Sequence, residues 1–239
     1  MFISPKDIVV DFLRVNLTDP RSRNELSNTE TFSGDSSETS FTLSSPDLNL
    51  ENTKAGCVTS VSISSVAKTK WVDYYWDEQN QQIHFFTAPA TGTDNISVTY
   101  KYGLTNWIYP DKPMVALNRT SFPRISISIS GGSSERLGNY EAPIIDSPRM
   151  QIDVWCKEDN VFTITDVGVS RKYAGDKLCE YLMYKCRLAF KDDEDELFPI
   201  LFHYVPAGEI VDLPFDVTYQ AHHKACDFII HGINTGEIS

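Results

Sequence analysis

The sequence predicts an α+β protein: an N-terminal helix and a small β-sandwich or barrel, followed by a C-terminal mixed sheet packed with one main helix. Three observations carry this. First, Phe122–Ser130 (FPRISISIS) alternates Ile125, Ile127 and Ile129 with serines, and Met150–Cys156 (MQIDVWC) sets Ile152 and Val154 on either side of Asp153. That period of two gives each segment one apolar face, and the two make a strand pair. Second, Tyr173–Lys191 carries Leu178, Leu182, Cys186 and Ala189 at helical spacing. Third, short strand-like runs follow one another from Phe41 to Tyr102 with no helical pattern among them, as in a sandwich or barrel.

Taken in order, Ser4-Pro5 opens a first helix, with Ser4 as its cap and Pro5 at a position whose N–H has no partner. Ile8, Phe12 and Val15 form its apolar stripe, and Pro20 lies beyond its end. Arg21–Thr39 is polar and reads as a loop or arm. Strands follow around Phe41 and Leu43, Val58 to Ile63, Trp71–Trp76 (WVDYYW), Ile83 and Phe85, and Ile96 to Tyr102. Asn106–Pro113 reads as a linker, so the expected domains are 1–105 and 106–239. In the second, an 18- to 19-residue loop from Gly131-Gly132 to Pro148 joins the two alternating strands. The helix comes next, then the acidic run Lys191–Glu196, then strands over Pro199–Val205, Ile210–Val217 and Cys226–Ile233.

The chain has 239 residues and a net charge of −12. Residues 1–105 hold 8 basic and 13 acidic side chains and the remainder 13 and 20, so both halves are acidic. That argues against a phosphate-neutralising surface and against docking on anionic lipid. No apolar run approaches the roughly 20 residues of a membrane span. The segment MFISPKDIVV has no basic region leading into an apolar core, so no secretory leader is expected. Five irregularly spaced cysteines favour reduced thiols.

Motifs for chemistry are sparse. Gly131-Gly132-Ser133-Ser134 is followed by Glu135-Arg136 rather than by the Lys and helix of a phosphate loop, and reads as a hairpin tip. His203, His222, His223, His231 and Cys226 gather late in the chain, but without the paired spacing of a zinc site. Cys179 and Cys186, seven apart on the helix, read as core, and no Gly-x-Ser-x-Gly elbow is present. Asp146, Asp153, Glu158 and Asp159 could supply a carboxylate pair, with nothing in the sequence to set their separation. No catalytic residue, metal or cofactor is expected. In WVDYYW, alternation puts Val72, Tyr74 and Trp76 on a core face, leaving Trp71 and Tyr75 for a binding or subunit contact.

Two stretches have a familiar pattern. WVDYYWDEQNQQ followed by IHFFTAPATGTDNISVTYKYG resembles a small β-module common in structural proteins of tailed viruses. Residues 122–233 resemble the tail terminator (tail completion) proteins of tailed phages and archaeal tailed viruses. FPRISIS stands for the first strand, RMQIDVWC for the second, KLCEYLMYKCRLAF for the helix and CDFIIHGI for the last strand.

The resemblance implies a non-enzymatic virion protein of the head–tail neck, made in the host cytoplasm. It would form a homo-oligomeric ring, with a hexamer as the candidate size. The ring would cap the tail tube protein, meet the head–tail connector or adaptor, and let genomic DNA pass without specific binding. Arg136, Tyr140 and Arg149, in or beside the long loop, are the expected ring-to-ring contacts, since interfaces favour Arg and Tyr. The alternatives are another neck ring (stopper or adaptor), a carbohydrate- or receptor-binding module of a virion using Trp71 and Tyr75, and a metal enzyme using the late histidines.

Overall fold

The computed structural model describes residues 5–23, 25–44, 54–103, 106–111, 122–136, 144–192, 203–206, 209–217 and 220–234. Ser4, Met114–Thr120, Tyr140 and the acidic residues 193–196 lie outside them. The fold is α+β, with two helices and several sheets among the described residues. The chain divides into Arg21–Asn106 and a second unit made of Met1–Pro20 with Trp107–Ser239.

The unit Arg21–Asn106 is a sandwich. β1 (Leu26–Gly34), β7 (Gly92–Gly103), β3 (Lys54–Ile63) and β4 (Val66–Lys68) form one sheet in that order. β2 (Ser40–Thr42), β6 (Gln82–Phe85) and β5 (Tyr74–Asp77) form the other. Val58, Val61, Ile96, Val98 and Tyr100 of the first sheet share one core with Phe41, Tyr74, Trp76, Ile83 and Phe85 of the second. Two bulges in β3, between Ala55 and Cys57 and between Val58 and Ser60, shift its inward phase. They explain why its apolar positions alternate imperfectly.

Strand β1 falls where the sequence reads as a polar arm. It is an edge strand, half exposed, that needs few apolar residues to pair with β7 from Leu26↔Tyr102 to Phe32↔Ile96.

The Tyr100 ring is buried, and its hydroxyl meets the Glu30 carboxylate and the Ser44 carbonyl (2.6 Å) while the Asn28 amide donates to it at 2.9 Å. Burial first, then the hydrogen bond to Glu30, push the Tyr100 hydroxyl well above the usual tyrosine range. An unfolded tyrosine loses its proton near about pH 10. Above that pH the unfolded chain binds fewer protons than the folded one, so stability falls as pH rises. Denaturant titrations at about pH 9 and about pH 11, on either side of that value, should show this loss. Tyr100→Phe should flatten part of the slope.

The second unit is built on a six-stranded sheet ordered β13 (His203–Pro206), β15 (Ala221–Asn234), β10 (Ile144–Lys157), β9 (Arg124–Arg136) and β8 (Ile108–Pro110), with β14 (Val211–Asp216) also on β15. It is mixed, because β8 runs parallel to β9 while the other pairs are antiparallel. Ile127 pairs with Ile152 and Ile125 with Val154, the strand pair expected from their shared period. α2 (Gly175–Asp192) and α1 (Pro5–Asn16) supply the rest of that core. Leu178, Leu182, Cys186 and Phe190 join Val9, Val10 and Leu13 over the sheet's apolar face.

The N-terminal helix therefore belongs to this core and not to the sandwich within residues 1–105. Its Arg14 guanidinium is buried and donates twice to the Ile108 carbonyl, at 3.0 and 2.8 Å, while Lys6 pairs with Asp111. A single three-turn helix is marginal alone, and these contacts are what hold it.

The structure changes three further expectations. The loop Gly131–Pro148 is mostly strand: β9 runs to Arg136 and β10 starts at Ile144, paired throughout. Ile129 is 49% exposed, so the core ends one position earlier than the alternation suggests. Between β10 and α2 lies a hairpin of β11 (Val161–Asp166) and β12 (Val169–Ala174), so Tyr173 sits in a strand and the helix starts at Gly175. All five cysteines are free thiols and buried.

Candidate functional site

Past Met150 the ladder of β9, β10 and β15 continues, with β13 paired to β15 at Val205↔Ile229 to His203↔His231. β9 from Gly131 to Arg136 pairs with β10 from Arg149 back to Ile144, which in turn pairs with β15 from Ile229 to Asn234. These strands form one arm of the sheet. At its base Gly132 faces Pro148 across the ladder, with φ 152°. A Cβ there would come to 2.8 Å from Pro148 Cα and 3.0 Å from the Ser147 carbonyl oxygen, so only glycine fits. Gly132→Ala should weaken the arm locally by about 1–3 kcal/mol. Hydrogen exchange should then quicken over 131–136 and 144–149, with the core protection of β10 from Met150 onward retained.

Of the expected contact residues, Arg149 stands at this base. Its guanidinium is half exposed and grips Asp227 of β15 through Nε at 3.0 Å and Nη2 at 2.6 Å. Arg136 closes the described part of β9 opposite Ile144.

The sandwich carries a second surface. Tyr74 and Trp76 are buried and Tyr75 is not, as alternation predicts. The alternation does not extend back to Trp71, however. Trp71–Asp73 is a turn, Trp71 has φ 65°, and Val72 is exposed rather than core. Trp71 and Tyr75 therefore do not lie on one strand face. Tyr75 instead stacks on His84, with centroids 4.7 Å apart, and lies 5.8 Å from Phe86, which is partly exposed. Ser40 Oγ is 2.7 Å from His84 Nδ1, so a serine, an imidazole and two aromatic rings form one row on the outer face of the three-stranded sheet.

The third feature is one that reading the sequence missed as a group. On the sheet face away from the helices, Asp153 is nearly fully buried. Its Oδ1 accepts hydrogen bonds from His223 Nε2 at 2.6 Å and from the Gln151 amide at 2.8 Å. The His223 ring stacks on Trp155 with centroids 3.5 Å apart, and the Arg124 guanidinium lies 5.4 Å from the same indole. Ser126, directly across from Asp153, is buried. Its Oγ makes no hydrogen bond among the described residues. A serine relay needs the hydroxyl on the imidazole, and here Ser126 pairs across the ladder with the carboxylate's strand position instead. The sequence offers Asp153 and His223 as separate candidates, a carboxylate between Ile152 and Val154 and one of the late histidines, with nothing to pair them.

No family model matches the chain, and no curated protein matches it.

Two remaining candidates separate in space. His222 and His223 are neighbours on β15 and point to opposite faces. His223 meets Asp153, while the His222 ring contacts Phe215 and would sit 3.1 Å from a Cβ on Gly175. No group of three His, Cys, Asp or Glu among the described residues is placed to hold a metal. Cys179 packs against the Val154 and His222 carbonyls, and burial first, then the neighbouring Cys179 thiol, push the Cys156 thiol up. A thiol raised in this way acts as a small apolar group. No helix among the described residues is long and apolar enough to cross a membrane.

Proposed function

We propose that the chain is a structural subunit of a tailed-virus particle that assembles side by side as a ring at the head–tail neck, in the manner of a tail terminator. The observation that carries this reading is the arm. The strands β9, β10 and β15 extend together as one continuous ladder with a glycine-dependent base. Arg149 at that base, with Arg136 and Tyr140 from the same stretch of sequence, would make the contact with the next ring. The resemblance of the strand and helix motifs supports the same reading, as does the acidic balance of both halves, which suits a lumen past which DNA slides. Electron microscopy of the purified chain, alone and mixed with tail tubes, should show rings or capped tube ends. A monomer that ignores tubes overturns the proposal.

A second reading has its own observation, the Tyr75–His84–Phe86 row. Partly exposed rings beside hydroxyl and imidazole groups can stack on the apolar face of a sugar while bonding its hydroxyls. Glycan-array binding that disappears in Tyr75→Ala would favour it, and a blank array removes it.

A further inference from the structure

The sheet face away from the helices is ordered by its register. Across β9, β10 and β15, Ser126 stands opposite Asp153, and Asp153 opposite Ala225. In the next row on the same face, Arg124, Trp155 and His223 lie side by side. A row of short side chains thus runs beside a row of long ones.

Three polar atoms where these rows meet have no partner. Ser126 Oγ and Trp155 Nε1 are buried and make no hydrogen bond among the described residues. The two bonds that Asp153 accepts, from His223 and Gln151, both go to Oδ1, and Oδ2 accepts none among the described residues. Ser126 is 1% exposed and Asp153 2%. Unpaired buried polar groups cost stability, and folded proteins rarely leave several together. The ladder does not require this one. An alanine at position 126 would keep the register and leave no hydroxyl unpaired.

The unmet groups are a carboxylate oxygen open to a donor, an indole N–H open to an acceptor, and a hydroxyl that serves as either. Simple ions do not suit them. An anion would meet the Asp153 carboxylate. A cation would meet the Arg124 guanidinium, buried beside Trp155. No third His, Cys, Asp or Glu among the described residues joins Asp153 and His223 to hold a metal. What suits the set is a neutral ligand whose groups both donate and accept, which describes hydroxyls. Opposite residues of a ladder lie about 5 Å apart, and alternate residues of a strand about 7 Å. That is the spread of the hydroxyls around one sugar ring.

We propose that Ser126 Oγ, Asp153 Oδ2 and Trp155 Nε1 bind the hydroxyls of a single neutral sugar ring. One ligand hydroxyl donates to Asp153 Oδ2, another accepts from Trp155 Nε1, and Ser126 bonds whichever lies over β9. Entry is past Gln151, which is half-buried and reaches Asp153 through one hydrogen bond. Turning that amide outward uncovers the carboxylate while His223 still holds Oδ1. The site lies in the helix-backed unit and depends neither on the neck reading nor on the Tyr75 row.

The test titrates the full chain, isotope-labelled at its indole nitrogens, with glucose, galactose, mannose and N-acetylglucosamine. Four tryptophans give four indole N–H signals, and Trp155→Phe assigns one of them. At least one of the sugars should move the Trp155 signal saturably, and further than the other three, because its N–H gains an acceptor. Ser126→Ala should weaken that titration at least tenfold. Without sugar, Ser126→Ala should leave the urea midpoint unchanged or raise it, since the hydroxyl it removes has no partner. A hydroxyl that served the fold would give the opposite sign. Tyr75→Ala should titrate as the wild type does.

The inference is overturned if none of the four sugars moves the Trp155 signal up to about 100 mM. It is overturned equally if Ser126→Ala binds as the wild type does, or if that variant lowers the midpoint without sugar. Loss of the shift in Tyr75→Ala would assign the binding to the sandwich instead.

Discussion

Phe190→Ala is expected to lower the stability of the helix-backed unit by about 3–5 kcal/mol, the usual cost of emptying a large buried aromatic site. Phe190 is fully buried where three elements meet. Its ring stacks on Phe12 of α1 at 5.4 Å and lies 5.2 Å from Phe228 of β15, while its own backbone belongs to the last turns of α2. Removing it takes away the transfer energy of the ring and leaves a cavity that two rings on separate elements cannot easily fill. Domains are stable by only about 5–15 kcal/mol, so the loss is a large share of the total. It should also loosen α1, whose Phe12 loses its stacking partner. Urea unfolding followed by circular dichroism measures the first effect, and hydrogen exchange across Ile8–Leu17 the second. Ile96→Ala, in the core of the sandwich, should cost about 2–5 kcal/mol but leave the protection of α1 unchanged. If α1 exchanges at the wild-type rate in Phe190→Ala, the Phe12–Phe190 stack is not what holds the helix.

The parts of this fold legible beforehand are those where one physical demand acts alone. The Ile125–Ile127 and Ile152–Val154 strands could be read because they cross a core covered on one side by helices, and so alternate cleanly. α2 could be read because its buried face, Leu178, Leu182 and Cys186, keeps the helical period. What was hidden lies where demands compete. β1 is polar because an edge strand gains its stability from the ladder with β7 rather than from its side chains. The hairpin β11–β12 has a two-residue turn whose strongest sequence signal would have been Asn-Gly, and valine takes the asparagine's place. The arm was masked by Gly131-Gly132 and Pro148, residues that mark loops elsewhere. Here Gly132 makes room for Pro148 in a continuing pair of strands. The Asp153–His223 pair was invisible because its members are seventy positions apart and meet only through the register of β10 with β15.

That pair gives the other large effect. Asp153→Ala is expected to destabilise the helix-backed unit by about 3–5 kcal/mol, as when one member of a buried polar pair is removed. The substitution strips the hydrogen-bond acceptor from both His223 and the Gln151 amide. The imidazole is left pinned by its stack on Trp155 and cannot turn to find water. Asp153→Asn should cost less, since its amide oxygen can still accept one of these bonds. The sign of the effect also bears on function. Groups held in place for a reaction are commonly a burden on the fold, and replacing them tends to raise stability. Groups that hold a sheet face together do the opposite. Urea midpoints for Asp153→Ala, His223→Ala and the double variant form a thermodynamic cycle. If the pair is structural, both single variants lose stability and the coupling reaches about 1–3 kcal/mol. A rise in midpoint for either single variant would turn attention to Ser126 and Arg124 as parts of a reactive site. A coupling below about 0.5 kcal/mol would mean that imidazole and carboxylate merely lie side by side, with the burial of Asp153 owed to whatever else packs on that face.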